Sequence, residues 1–323
     1  MPEFDVKLLW FTGSLLLIFL LLGFGAGDCG FPELLRLFSG QEIPETARIV
    51  LLEIRLPRLL AGFLTGGMLA ASGAAAQNLF RNDLASPHVL GVIYAAALGA
   101  VCGLLFSIPS VIFAFLFAVA ALLLIFLPGK RFSWDSAALL LAGIAVNAFA
   151  SSLTSGVLYL ADEKLSSIVF WMLGGLWRAG WNEVLLLAVT FFIGIGILKY
   201  YSREMDMLLL GDRSAALSGV PLKKVKPMIL LAISLMTASC VSCCGVIGFI
   251  GLAVPHIVRQ FSGAKFSSVL SAGIFAGGII LLLADLLART LYIPHEIPVG
   301  ILTSAAGGPF FFILLLHRRK DYV

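Results

Sequence analysis

The chain has 323 residues, of which 60% are hydrophobic and only 12% are charged, and its net charge is +4. Soluble domains average about 25% charged residues, so this composition excludes an ordinary soluble enzyme or binding domain. The positive charge is spread along the chain without a basic stripe, which argues against a nucleic-acid partner. A membrane β-barrel would alternate apolar and polar residues in segments of about ten, and no such alternation occurs.

Apolar runs long enough to cross a bilayer recur along the chain. Because one helical span needs about 20 apolar residues, we predict an all-α polytopic membrane protein with about ten transmembrane helices in a single domain, 1–323. The predicted spans are 8–24, 56–78, 89–107, 110–127, 137–160, 182–198, 227–244, 246–262, 269–288 and 299–316. The first run is long for a signal peptide and lacks a cleavage pattern, so it is interpreted as a retained span.

The distribution of Lys and Arg between the loops predicts the orientation. Ten is an even number, so both termini share a side, and positive loop residues favour the cytoplasm. With the termini inside, the inner segments hold fifteen of the 22 Lys and Arg residues and the outer segments hold seven. Both termini are therefore predicted to be cytoplasmic, and the polar segment 203–221 lies in the largest inner loop.

The second predicted span carries small residues at regular intervals. Gly62, Gly66, Ala70 and Ala74 recur every four residues. Small residues at this spacing allow helices to approach closely. We therefore predict a central packing helix in preference to a direct ligand site.

The polar segment 203–221 predicts two short helices joined at a bend. A first helix would reach Leu210 and be broken by Gly211. Gly219 suits the residue that follows a second helix, and Pro221 prevents that helix from continuing. A solvated linker is the alternative, although linkers rarely have this arrangement of helix breakers.

The second short helix of this segment would expose small side chains. Asp212 or Ser214 would cap its start, and Ala215 and Ala216 would leave its backbone open to another protein. Leu217 adds an apolar contact nearby. The pattern predicts a docking surface for a cytoplasmic partner.

Two sets of side chains inside the predicted spans have both a functional and a structural interpretation. Cys240, Cys243 and Cys244 share one helical face and could bind a soft metal, but packing is favoured. Asp285 could be a functional intramembrane acid, yet Arg289 follows one turn later. A structural ion pair is therefore preferred.

No enzyme motif is complete. Gly129-Lys130 lacks the glycine that a phosphate-binding loop needs five residues earlier, where Leu124 stands. Gly25-Ala26-Gly27-Asp28 matches the Gly-x-Gly-Asp of intramembrane aspartyl proteases, but Asp28 follows the first span and does not lie within it. The chain is predicted not to be an enzyme, and any ATP hydrolysis would belong to a partner.

Eight stretches in register carry a resemblance to a known family. The segment LLGDRSAALSGV at 209–220 resembles the coupling segment of FecCD-type permeases, which serve iron–siderophore, haem and cobalamin ABC importers. The other seven are RLPR at 55–58, SGAAAQ at 72–77, RNDLASPHVLGV at 81–92, WMLGGLW at 171–177, GFIGLAVPHIVR at 248–259, ADLLAR at 284–289 and EIPVGILTSAAGGPFFFILL at 296–315.

The resemblance implies a set of partners. Two permease subunits, identical or homologous, would pair around a central pathway, with two ATPase subunits below and a periplasmic or lipid-anchored binding protein outside. The chain itself would bind no cofactor, because ATP and Mg²⁺ are used by the ATPase. The residues that match the ATPase-coupling segment are Leu210, Gly211, Ala215, Ala216, Leu217, Gly219 and Val220.

The resemblance also implies a docking rim for the binding protein. Arg55, Arg58 and Arg289 match family arginines that meet acidic residues of the binding protein. Arginine forks bind carboxylates well. Snorkelling to lipid phosphates is the alternative, and both roles can coexist.

The inner mouth and the pathway are the last positions that the resemblance implies. Asn82 and Leu84 match residues that narrow the inner mouth, but Asp83 stands where a proline is usual, which puts the pairing of this gate in doubt. The fifth span matches the helix that lines the pathway. Its polar candidates are Asn147, Ser151 and Ser152, for which hydrogen bonding between helices is the alternative.

Together these observations predict the permease subunit of an ATP-driven importer in the cytoplasmic membrane. Its ligand would be an iron chelate such as a siderophore or haem, or a cobalamin-like molecule. An ion-coupled secondary transporter is the alternative, and Asp285 is nearly its only candidate for an ion site.

Overall fold

A computed structural model describes residues 3–24, 30–293 and 295–318. Asp28 and Cys29 lie outside the described residues, so the Gly-x-Gly-Asp motif has no structural account. Within the described ranges the chain is helical, without a strand.

Fifteen α-helices follow one another along this part of the chain. They are α1 Glu3–Gly23, α2 Phe31–Phe38, α3 Glu45–Ile49, α4 Leu56–Phe80, α5 Val92–Leu105, α6 Ser110–Arg131, α7 Ser136–Leu160, α8 Leu165–Met172, α9 Trp181–Tyr200, α10 Ser202–Leu208, α11 Asp212–Leu217, α12 Leu222–Cys244, α13 Ile250–Ser262, α14 Phe266–Thr290 and α15 Val299–Arg318. A π-helical stretch, Val50–Arg55, joins α3 to α4, and 3₁₀ turns occupy Pro87–Leu90 and Asp162–Lys164.

Each predicted span coincides with one of these helices, but not all of the helices are long enough to cross a bilayer. Six helical segments of the described chain are sufficiently long and apolar, namely Glu45–Phe80, Ser110–Arg131, Ser136–Leu160, Trp181–Tyr200, Leu222–Cys244 and Phe266–Thr290. Three shorter apolar helices are Thr12–Gly23, Val92–Leu105 and Val299–Phe310. The eighth predicted span is shortened to α13, because Gly245 and Phe249 take positive φ angles before it begins. The count of ten therefore stays a prediction.

Helix α4 is the centre of the bundle, as its small residues predict. Every side chain from Thr65 to Phe80 is buried, and α4 packs against α9, α12, α13 and α14. At the crossing with α14, a Cβ atom on Gly66 would lie 2.2 Å from the carbonyl oxygen of Gly277. The two backbones are therefore in direct contact, which only glycine permits.

Replacing Gly66 with alanine should force these backbones apart and cost about 1–3 kcal/mol, the usual range for overpacking. Gly196 in α9 is the matched control, because nothing lies within 4 Å of its added Cβ. Alanine there should be neutral or stabilise by up to about 1 kcal/mol. Equilibrium unfolding of both variants in mixed micelles measures the difference, and equal stabilities would contradict the close approach.

Candidate functional site

One end of the bundle holds a group of five charged side chains, the arginine cluster: Arg55, Arg58, Asp285, Arg289 and Glu296. Arg58 binds two carboxylates at once, with Nη2 2.9 Å from Asp285 Oδ1 and 2.8 Å from Glu296 Oε2. Asp285 is fully buried and also lies 3.2 Å from Nε of Arg289. The pairing of Asp285 with Arg289 confirms the predicted structural ion pair.

The cluster differs from the open rim that the sequence predicts. Arg55 and Arg58 are only 5% and 8% exposed, and Arg55 donates from Nη1 to the carbonyl oxygen of Leu22. Buried guanidinium groups need internal acceptors, and Asp285 and Glu296 supply them for Arg58. The docking role of the three arginines stays a prediction, but they do not form a free anion-binding surface.

The other end of the bundle, away from the arginine cluster, holds several polar segments around α10 and α11. This polar end comprises residues 78–84, 132–136, 202–226 and 259–266. Hydrogen bonds hold it together, for example from Asn78 to the carbonyl oxygen of Met205 and from the amide of Phe266 to Asp206. As predicted, Gly211 separates two short helices and Gly219 follows the second, with φ angles of +102° and +87°.

The predicted coupling residues divide into a buried and an exposed set. Leu210 and Leu217 are 74% and 84% exposed, and Ala216 and Gly219 are also exposed. The prediction that Ala215 is exposed is wrong, because the inward face of α11 buries it to 1% exposure. Gly211 and Val220 are buried as well. The exposed apolar side chains among the predicted coupling residues, Leu210, Ala216 and Leu217, are called the apolar patch.

The predicted cap of α11 is also wrong. Gly211, not Asp212 or Ser214, precedes the helix, and no side chain caps it. Asp212 instead accepts a 2.6 Å hydrogen bond from Nζ of Lys226. Lys226 lies among the charged loop residues in the sequence, but it is only 1% exposed.

The predicted inner gate is a short loop fixed by the polar end. Asn82 folds back, so that its side-chain oxygen accepts a 2.9 Å hydrogen bond from the amide of Leu84. Asp83 pairs with Arg259 at 3.2 Å, and Arg259 also donates to Asn78 at 2.8 Å. An ion pair thus holds this loop to α13, at the position where the resemblance implies a proline.

Replacing Asp83 with asparagine should lower the free energy of unfolding by less than about 1 kcal/mol, because the Asp83 side chain is 42% exposed and Arg259 keeps Asn78. High salt screens exposed pairs, so the difference from the wild type should vanish there. Equilibrium unfolding of the wild type and the variant at low and high salt measures this difference in stability. A large loss that persists in high salt would show that the loop depends on more than this pair.

The polar residues of α7 have different surroundings. Asn147 donates to the carbonyl oxygen of His88 at 2.9 Å, so it joins two elements. Thr154 turns inward and bonds to Ala150. Ser151 and Ser152 are exposed on this chain. The hydrogen-bonding interpretation therefore holds for Asn147, whereas a pathway role for the three residues stays a prediction.

A cavity of about 610 Å³ lies beside the 3₁₀ turn Pro87–Leu90, and the stretch 246–249 and the start of α15 also line it. Its wall includes His88, Tyr94, Phe249 and Ser304. Burial lowers the pKa of His88, and a hydrogen bond with the backbone of Ile247 opposes that shift. Sequence reasoning assigned no role to His88, and the one available signal was that its stretch, 81–92, resembles the family throughout.

The three cysteines of α12 pack against neighbouring helices. The sulfur of Cys240 lies 3.8 Å from the carbonyl oxygen of Thr65 in α4. The sulfur of Cys244 lies 3.4 Å from the hydroxyl of the same threonine. Cys243 contacts the carbonyl oxygen of Glu183 on a different neighbour. Among the residues that the structure describes, no three His, Cys, Asp or Glu side chains are arranged to hold a metal. The favoured packing interpretation matches these contacts.

Comparison with known proteins identifies the family. The sequence profile of the FecCD transport family matches residues 13–317. The chain belongs to this family. The chain is 36% identical to the hemin transport system permease protein HmuU of Yersinia pestis over 96% of each chain. It is also 36% identical to the cobalamin import system permease protein BtuC of Halobacterium salinarum, over 86% of this chain and 76% of that one.

A solved structure supports the same conclusion. An inward-facing ABC transporter assigned to the metal-chelate type is 30% identical to this chain, with a TM-score of 0.86 over 97% of this chain and 99% of that one. The predicted family and all-α membrane fold are confirmed. The chain is a multi-pass permease subunit of an ABC importer, a class that works with ATPase and binding-protein partners.

Proposed function

We propose that this permease moves an iron chelate, such as a siderophore complex or haem, or a cobalamin-like ligand across the cytoplasmic membrane. The observation that carries the importer role is the apolar patch at the polar end, with Ala216 and Leu217 on α11 and Leu210 in the turn before it. Exposed leucines that are held by a rigid turn suit a partner ATPase. The relatives that transport hemin and cobalamin support the ligand class.

The orientation follows from loop charge. In the predicted ten-span arrangement, fifteen of the 22 Lys and Arg residues fall in loops on the side of the polar end, which the positive-inside rule assigns to the cytoplasm. Both termini are cytoplasmic in this arrangement. The arginine cluster then faces the outside, where a periplasmic or lipid-anchored binding protein would arrive.

The binding protein docks at the arginine cluster. Arg289 supports this role, because its buried Nη2 atom has no hydrogen-bond partner among the residues that the structure describes. Arg58 is already occupied by Asp285 and Glu296. An acidic side chain of the binding protein would therefore pair with Arg289 only once Nη2 is uncovered, and it would reach Arg58 only by displacing the partly exposed Glu296.

A second permease subunit, either a copy of this chain or a homologous one, covers α7. Ser151 and Ser152 are exposed on a helix that is mostly unburied within one chain. Polar side chains are costly against lipid, which favours protein or a water-filled pathway on this face. The ligand would pass between the subunits, near Asn147 and the cavity, to the inner mouth at Asn82 and Leu84.

The energy for transport comes from two partner ATPase subunits. The permease does no covalent chemistry and binds no cofactor, and ATP and Mg²⁺ are held by the partners. Ion coupling at Asp285 is disfavoured, because this carboxylate is bound by both Arg58 and Arg289. Protonating it would leave both cations less compensated in a buried site.

The test is a native pull-down from the protein's own membranes, followed by uptake in proteoliposomes. We expect an ATPase subunit to co-purify and uptake to need ATP inside the vesicle. Uptake of a ferric siderophore, haem and cobalamin is compared to assign the ligand. A protein that purifies alone after mild crosslinking, and that takes up ligand on an ion gradient without ATP, would replace this proposal with the secondary transporter.

A further inference from the structure

Lys226 joins three separate elements of the polar end. Its ammonium group lies 3.0 Å from the carbonyl oxygen of Trp134, 3.2 Å from Oγ of Ser136 and 2.6 Å from Oδ2 of Asp212. A lysine ammonium has three hydrogens to donate, and each has an acceptor here. The buried charge is thus fully satisfied only while all three elements keep their places.

One of these elements is a strained turn. Ser133 and Trp134 both have positive φ angles, +53° and +63°, which is rare for a residue as bulky as tryptophan. Such strain persists only where the surroundings fix it. The ring of Trp134 packs edge-on against Phe126, and its carbonyl oxygen is bound by Lys226.

The turn leads directly into α7, the helix that carries the candidate pathway residues. Ser136 is the first residue of α7 and also donates to the carbonyl oxygen of Leu79 in α4. Asp212 is the first residue of α11, beside the apolar patch. Lys226 therefore lies between the surface where an ATPase would act and the start of the pathway helix.

We propose that Lys226 is a positioning residue that transmits displacement of α11 to the start of α7. Separating it from Asp212 would leave a buried, unpaired cation, which is strongly unfavourable. The alternative is for Asp212, Lys226 and the turn 132–136 to move together. This role rests on the proposed function, because it presumes a partner that pushes on α11.

The link itself is tested without any partner. Hydrogen–deuterium exchange is measured on the full-length permease in nanodiscs, for the wild type, Asp212→Asn and the control Arg213→Gln. Arg213 is the exposed neighbour. We expect Asp212→Asn to speed exchange in 132–139 at least about threefold, with little change in Arg213→Gln, because local stability depends on these contacts. Equal exchange in the two variants would overturn the proposal.

The transmitting role is tested on the complete transporter with its ATPase and binding protein. Lys226→Met is compared with Lys224→Met, its exposed counterpart two residues earlier. We expect Lys226→Met to bind the ATPase and hydrolyse ATP but to move at least about tenfold less ligand per ATP, with partial rescue by Lys226→Arg. A purely structural role would instead lower complex yield and both activities in proportion, which would overturn the proposal.

The two tests separate this inference from the proposed function. If the wild type binds no ATPase, the proposed function fails, whereas the exchange measurement still decides whether Asp212 holds the turn. If Lys226→Met does not fold, Asp212→Asn takes its place in the transport assay, with Arg213→Gln as control. Unchanged ligand transport per ATP in Asp212→Asn would then overturn the transmitting role.

Discussion

Replacing Asp285 with alanine is expected to destabilise the folded chain by about 3–5 kcal/mol, the usual cost of removing one partner from a buried ion pair. Asp285 is fully buried and compensates Arg58 and Arg289, whose side chains are each only 10% exposed. Without Asp285, the guanidinium groups of Arg58 and Arg289 remain close together. Glu296 still pairs with Arg58. Equilibrium unfolding in mixed micelles measures the loss.

The control for this prediction is Glu296→Gln in the same cluster. Glu296 also binds Arg58, but its side chain is 38% exposed. Water can therefore replace part of the interaction that the substitution removes. The penalty should therefore be clearly smaller than for Asp285→Ala. If both variants lose the same stability, or if Asp285→Ala loses none, the cluster does not depend on its buried acid.

Replacing Leu217 with aspartate is expected to weaken binding of the partner ATPase by at least about 2 kcal/mol, or roughly thirtyfold, as for a contact at the centre of an interface. Leu217 is 84% exposed, so the folded permease loses no internal contact. ATP-dependent uptake should fall with the affinity. The affinity is measured by biolayer interferometry with the permease in nanodiscs.

Leu217→Met is the control, because methionine keeps the apolar contact and should bind nearly normally. The unfolding midpoint of Leu217→Asp should match that of the wild type. Ala215 is unsuitable for this test, since its side chain is buried and a larger one would disturb packing. Normal ATPase affinity in Leu217→Asp would place the coupling surface elsewhere.

Features that depend on local sequence could be predicted. Runs of apolar residues located the long helices, because the cost of unpaired backbone in lipid leaves few alternatives. Gly211 and Gly219 were predicted to interrupt the polar segment, and both have backbone angles that favour glycine. The recurring small residues of α4 predicted its central position for an equally local reason.

Features that depend on residues far apart in the chain could not be predicted from the sequence. The charge that binds Arg58 comes from Asp285 and Glu296, more than 220 residues later, and no spacing rule connects them. Ala215 and Ala216 are neighbours of the same type, and only the packing of α11 decides which is exposed. In the sequence, Lys226 cannot be distinguished from the exposed lysines before it. Only the folded structure shows that Lys226 is buried with three hydrogen-bond acceptors.

The backbone contact between α4 and α14 limits how this transporter can move. Where Gly66 meets Gly277, no side chain separates the helices, so neither can slide or rotate without a collision. The two helices therefore behave as one rigid unit, relative to which other helices of the bundle can move. Helices α7 and α9 are mostly unburied within the chain, and the close backbone contact of α7, at Gly143, is with the carbonyl oxygen of Val89 and not with α4. Distances between labels on α4 and α14 should thus stay constant through the transport cycle, while those from α4 to α7 change.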